Sequence, residues 1–362
     1  MSSAMSWFKL GKKPKEANGQ IVGGNPGEQS SALSEELLTE LKELTTRSTP
    51  DRLADLFLVM EEHLNEIEME EVADLVDALK QPPPLVERLT SGLDDPEELR
   101  EAILSSPTLS ADVLRVVNSA AFALSTPISS IEHAVNYLGT TMVKGLVLQS
   151  AITQVMNFET DVQKSAYMRI WRSSYVASAA AQAYAQALDW PNPSVFATRA
   201  LLVNVGDLAL ISARPDLAVV FAPKSTLVDR VEAQQQEMMS NSALLSSLLA
   251  KQWGLPKDLY DALRFALTPM TWAPSGGPDN EGRSDTDAAE ALLLYVACRI
   301  GDAVAYQGIK DLDDFALLSN EDLDLFLVPA YLQAFSLQEL VSISRDRKHN
   351  RRAQQAIANF SG

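Results

Sequence analysis

The chain is short of the side chains on which most thiol and metal chemistry depends. It carries one cysteine, Cys298, in 362 residues, so no disulfide can close within it. One thiolate cannot build a tetrahedral zinc shell either. A single thiol suits a reducing compartment, and the expected location is cytoplasmic. The three histidines, His63, His133 and His349, lie far apart. No Gly-x-x-x-x-Gly-Lys phosphate loop and no Gly-x-Ser-x-Gly nucleophile turn occurs, which removes the commonest nucleotide-binding and acyl-transfer signatures. No apolar run is read as reaching the ~18 residues of a membrane span. The Trp7-Phe8 pair is followed by lysines and not by the long apolar core of a secretory signal, so no stable membrane insertion is expected.

What is abundant is acid. The formal net charge is −18, which repels phosphate backbones and acidic membranes, so nucleic-acid binding is not expected. Acidic residues gather at Glu61 to Asp77 and again at Asp94 to Glu101. These stretches read as solvated helix faces, with docking of a basic partner as the sharper alternative. Asp279, Asn280, Glu281, Asp285 and Asp287 are rich in oxygen but lack the ordered spacing of a calcium loop. Cys298 lies on an apolar helix face beside Arg299 and reads as a buried, inert thiol. His133 reads as a histidine at the edge of the core.

The periodicity is helical almost throughout, with no sustained polar–apolar alternation, so the fold class is all-α. Residues 1–30 have the composition of a disordered tail. Residues 31–80 read as a small helical module, with helices near Ser34, after Pro50 (Leu53 to Met60) and around Val72 to Leu79. Pro82-Pro83-Pro84 ends the module. Ser129 and Glu132 have capping-box spacing ahead of Ile131, and Gly139 is placed to end that helix at positive φ. Further helices are predicted over 165–188, 195–212, 226–253, 256–268, 286–307 and 336–358. The domain reading is a core over 81–310 with a helical extension over 311–362.

Several stretches in this order resemble the HDOD family, non-enzymatic cousins of the HD and HD-GYP phosphohydrolases. They are Pro82-Pro83-Pro84-Leu85, Ser106-Pro107-Thr108-Leu109, Asn118-Ser119-Ala120, the run from Ile128 to Leu138-Gly139, and Trp253-Gly254-Leu255-Pro256. The resemblance implies an HD-superfamily-like helical bundle. It also implies where the metal ligands of the related enzymes would fall. The helix histidine is replaced by Ser173, the His-Asp dipeptide by Val203 and Asn204, the paired histidines by Ala266 and Leu267, and the late aspartate by Cys298. Valine, alanine and leucine have no lone pair for a metal, and neutral serine and asparagine are poor ligands. No metal, no cofactor and no catalytic residue is therefore expected. Asn118, Ser119, Gly139, Gly206 and Trp253 read as structural members of the family motifs.

Three functions compete at this level. One is a signalling adaptor that works through protein partners, with room for a small ligand in the vestigial cavity. Another is a divergent phosphohydrolase or phosphodiesterase. The last is DNA binding through the helix-Gly-helix at 131–148, which is weakened because its second helix offers only Lys144 as a cation.

Overall fold

The computed structural model describes residues 35–79, 85–90, 95–118, 126–274 and 284–359. The sequence expectations for residues 1–30, Pro82-Pro83-Pro84 and Ser119 lie outside them. Among the described residues all regular structure is helical. The first group is α1 (Glu35–Thr45), α2 (Asp51–Ala54) and α3 (Glu66–Asp77). Next come α4 (Leu85–Thr90), α5 (Pro96–Leu104), α6 (Pro107–Val117), α7 (Ile131–Leu138) and α8 (Thr140–Thr153). The centre holds α9 (Asp161–Ala187), α10 (Pro193–Leu202), α11 (Val205–Ala213), α12 (Leu227–Met238), α13 (Ser242–Gln252), α14 (Lys257–Arg264), α15 (Thr268–Thr271) and α16 (Asp285–Asp302). The chain closes with α17 (Val328–Ala334), α18 (Glu339–Arg345) and α19 (Arg347–Asn359).

The organising element is α9. Thr160 and Gln163 cap its start reciprocally: Thr160 Oγ1 accepts from Gln163 N, and Gln163 Oε1 accepts from Thr160 N at 3.0 Å. The helix is rich in alanine, which favours helix and lets neighbours approach closely. α10, α11, α16 and α19 all pack on it. The tightest approach is at Gly301 of α16, where a Cβ would lie 2.2 Å from the Ser173 carbonyl oxygen. One apolar core runs without interruption from Leu37 to Ile357. The N-terminal helices and α17–α19 therefore share the core of the central bundle: α1 packs on α17, and α3 on α11 and α13.

Several helices are shorter than their periodicity suggests. The helix after Pro50 ends at Ala54, and Phe57 to Met60 continue as extended chain whose backbone bonds Gln235 and Asn241. The stretch 226–253 breaks at Met239, which adopts φ 45°, and Asn241 caps a new helix by accepting from Leu244 N. The stretch 336–358 breaks at Asp346, whose carboxylate caps α19 at Lys348 N. Ser130, not Ser129, caps α7 by accepting from His133 N. His133 itself is exposed, since the apolar face of α7 is carried by Ile131, Ala134 and Val135.

One stretch, Pro193–Ala213, does have the length and hydropathy of a membrane span, contrary to the reading above. It comprises α10 and α11, and 89% of its most apolar window is buried inside the protein. Its apolar character is thus accounted for by packing around α9.

The family-motif residues hold turns. Asn118 donates to the carbonyls of Leu114 (2.8 Å) and Ile128 (2.7 Å) and accepts from Ile128 N at 2.7 Å, which fastens the loop before α7 to the end of α6. Gly139 takes φ 84° between α7 and α8. Trp253 is buried at the end of α13. Leu255 N bonds Ala250 O and Gly254 N bonds Lys251 O, both at 3.0 Å, a Schellman closure that needs the positive φ of Gly254. At Gly206 a Cβ would stand 2.5 Å from the Ser242 carbonyl oxygen, so glycine is required for α11 to meet α13.

Candidate functional site

The positions read as former metal slots are all buried but lie on separate elements, and the contacts join only two of them to polar neighbours on the central helices: Ser173 to Asp302 and Asn204 to Ser174. Ser173, fully buried on α9, donates from Oγ to Asp302 Oδ1 of α16 at 2.6 Å. Asn204, in the link between α10 and α11, donates to Ser174 Oγ at 3.2 Å. Val203 is buried, and its carbonyl accepts from Ser246. Ala266 and Leu267 lie in the buried link between α14 and α15 and contribute only apolar side chains. Cys298 is buried one turn before Asp302, and burial pushes its thiol up to about 12.

The chemistry of the site resides in residues that carry no motif. Asp302 is gripped by two guanidinium groups, Arg230 of α12 and Arg299 of its own helix, the latter at 2.8 Å. Arg230 also lies over the Tyr306 ring at 4.2 Å and donates to Ser225 O at 3.1 Å. Arg299 lies 5.0 Å from the Tyr295 ring centre and 3.7 Å from the carboxylate of Asp324. Asp324 caps α12, accepting from Leu227 N at 2.7 Å and Val228 N at 3.0 Å. Asp207 of α11 accepts from Gln234 at 2.9 Å.

All of these groups are withdrawn from water, so burial opposes every charge. It pushes the Asp207 carboxyl up to about 7, with Arg230 offsetting part of the effect. At Asp302 burial acts in the same direction, but Arg230, Arg299 and the Ser173 hydroxyl outweigh it and hold the carboxyl below its ordinary range. Burial opposes the charge of Arg230 as well, and Asp302 outweighs it. The result is a largely buried, mutually neutralising network that joins α9, α11, α12 and α16 to the segment holding Asp324.

A cleft of about 480 Å³ borders this network. Arg299 and Asp302 line it from the core, Arg52 from α2, and Asp314, Asp322 and Asp324 from the segment after α16. Its volume is within the range of small-molecule sites.

The residues present do not fit the divalent metal of the related phosphohydrolases. Val203, Ala266 and Leu267 offer no donor atoms. Cys298 is the one cysteine of the chain, and a single thiol cannot build a metal shell without further donors beside it. Ser173 and Asn204 already donate to protein acceptors. Of the nearby carboxylates, Asp302 is paired with two cations that would repel a third, Asp324 accepts from Leu227 N and Val228 N, and Asp207 accepts from Gln234. Among the described residues no group of three or more His, Cys, Asp or Glu side chains is arranged to hold a metal ion.

Comparison with known proteins matches this fold. A crystal structure of an HDOD domain protein of unknown function from Geobacter sulfurreducens is 19% identical. The match covers 82% of this chain and 99% of that one, with a TM-score of 0.53. A candidate signal transduction protein from Marinobacter aquaeolei VT8 is 16% identical over 86% of this chain and 69% of its own, with a TM-score of 0.52. An uncharacterized Treponema pallidum protein is 22% identical over 200 residues, and the chain spans only 38% of that relative's length. Residues 79–269 match the HDOD domain, which is more than half of the sequence, and the chain belongs to the HDOD domain family.

Proposed function

We propose that this protein is a non-catalytic regulatory adaptor of the bacterial cytoplasm that acts through contacts with signalling proteins. The observation that carries the reading is the buried Arg230–Asp302–Arg299 cluster. Where a hydrolase needs a metal-activated water, this chain has a closed ion network with its carboxylate already engaged. The HDOD assignment and the likeness to a candidate signal transduction protein favour a regulatory role over an enzymatic one. α1–α3 and α17–α19 flank the family core and supply surface for partners. The cleft beside Arg299 and Asp302 is the place for a small ligand that would tune those contacts.

Two experiments test this. The purified full chain, supplied in turn with Mn²⁺, Mg²⁺, Fe²⁺ and Zn²⁺, is assayed on nucleotides and phosphodiesters; no turnover above the metal-only background is expected. Turnover that follows the protein and vanishes in Asp302→Asn would overturn the reading in favour of a divergent phosphohydrolase. Crosslinking in the native cell, followed by rebinding of each captured protein to the purified chain, tests the adaptor role. The reading expects at least one direct partner and is overturned if none rebinds.

A further inference from the structure

We propose that the outer face of α3 is a docking site for the basic, aromatic segment Trp7–Lys15 of the same chain, which acts there as an intramolecular ligand. The inference goes beyond the adaptor reading and does not depend on it.

α3 carries more negative charge than its packing uses. Glu61 and Glu62, just ahead of it, are paired with Lys251 and Arg264. Glu68 accepts from Asn65 N in the helix cap, and Asp77 accepts from Gln252. Glu66, Glu70, Glu71 and Asp74 are exposed and have no ion pair among the described residues. Glu66, Glu70 and Asp74 follow one another at four-residue steps, where like charges repel along a helix face. Asp74 also stands in the last turn, which holds no basic residue, and the helix macrodipole opposes negative charge at that end. Amid these carboxylates Ile67 is 70% exposed, one helical turn from Glu70 and Glu71. Uncompensated carboxylates around an uncovered aliphatic side chain fit a partner that brings cations and an apolar group together.

The N-terminal segment has that composition. Trp7, Phe8 and Leu10 stand among Lys9, Lys12, Lys13 and Lys15, and no acidic residue precedes Glu16. In a chain of net charge −18 this is a local excess of cations. Four lysines can face four carboxylates while Trp7 or Phe8 covers Ile67, so that individually weak exposed ion pairs act together with apolar burial. The length of chain allows it. Residues 16–34 can span up to about 60 Å, comparable with the breadth of a folded chain of this length, whose radius of gyration is about 21 Å. An external basic partner would then reach the α3 face only by displacing the segment.

The test is hydrogen exchange of the full chain at low ionic strength, read by mass spectrometry at the amides of residues 7–13 against a synthetic peptide of residues 1–20. Docking predicts exchange slowed by about 10-fold in the chain and restored to the peptide rate by ~0.5 M salt. An intramolecular contact also predicts the same protection at ~1 and ~100 μM protein. E70K/E71K is expected to lose the protection, and K12E/K13E/E70K/E71K to regain at least half of it, a rescue that a fold defect would not give. E98Q/E101Q on α5, which is also acidic, is expected to leave it unchanged. Should E70K/E71K not fold, I67S/D74N takes its place, with the same loss expected. Wild-type exchange as fast as the peptide's, protection that survives E70K/E71K or I67S/D74N, a charge swap that rescues nothing, or a loss in E98Q/E101Q would each overturn the proposal. Protection that rises with protein concentration, marking a second copy as the occupant, overturns it too. So does protection seen only with phosphatidylserine vesicles, marking a membrane.

Discussion

Ser173 Oγ donates to Asp302 Oδ1 at 2.6 Å across 129 residues of sequence, and in doing so joins the long central helix α9 to the end of α16. The same junction requires Gly301, whose missing side chain lets the Ser173 carbonyl come within van der Waals contact of α16. One helix crossing thus carries both the closest backbone approach described for α9 and its polar link to the buried ion network.

Gly301→Ala should lower stability by about 3 kcal/mol, because the new Cβ meets backbone that cannot swing away. Ser173→Ala should lower it by about 2 kcal/mol, the loss of one hydrogen bond to a buried charged acceptor. Urea titration measures both as shifts of the midpoint at unchanged slope. A neutral Gly301→Ala would mean that α9 and α16 are not packed as described.

Asp207 gives the protein a pH-dependent term whose sign follows from linkage. Its folded pKa of about 7 lies above its ordinary 3.8, so the native state binds a proton that the unfolded state has released. Its contribution is therefore complete below the unfolded value and is lost as pH rises to about 7, by at most about 4 kcal/mol. Asp207→Asn mimics the protonated acid and should stabilise the protein at pH 8, with the margin falling to less than half of that at pH 5 and vanishing only below the unfolded value of 3.8. Melting both proteins across that range checks it; an equal margin at both pH values contradicts the assignment.

The sequence made part of this legible and hid the rest for identifiable reasons. The all-helical class, the Gly139 turn and the Trp253-Gly254-Leu255-Pro256 closure are local patterns, in which spacing and glycine conformational freedom act over a few residues. The ion network is not local: Ser173, Asp207, Arg230, Asp302 and Asp324 come from separate helices and loops, and no spacing among them marks their convergence. The break at Met239 is masked by methionine, an ordinary helix former, and its one local signal is Asn241, which caps α13 by accepting from Leu244 N and donates to Val59 O. In the sequence Arg299 stands out only as a neighbour of Cys298, whereas in the fold it pairs with Asp302 one turn later.

Cys298 should resist thiol reagents in the native state. It is 1% exposed, and burial pushes its thiol up to about 12, so both access and thiolate are lacking. Labelling is expected to follow the unfolding rate and to become rapid in denaturant. Fast stoichiometric labelling of the folded protein would contradict the burial of this helix face.

Asn118→Ala should cost about 2 kcal/mol by leaving the backbone N–H and carbonyl of Ile128 without their partner. Proteolysis should then begin in the loop ahead of α7. An unchanged cleavage pattern and midpoint would show that the loop is held by something else.

The most direct test is the metal content of the full chain, purified without chelator from cells grown with added manganese, iron and zinc and measured by plasma mass spectrometry after gel filtration. An ion network that already neutralises Asp302 predicts far less than one equivalent of any divalent metal per chain. One tightly held equivalent that disappears in Asp302→Asn would contradict the account.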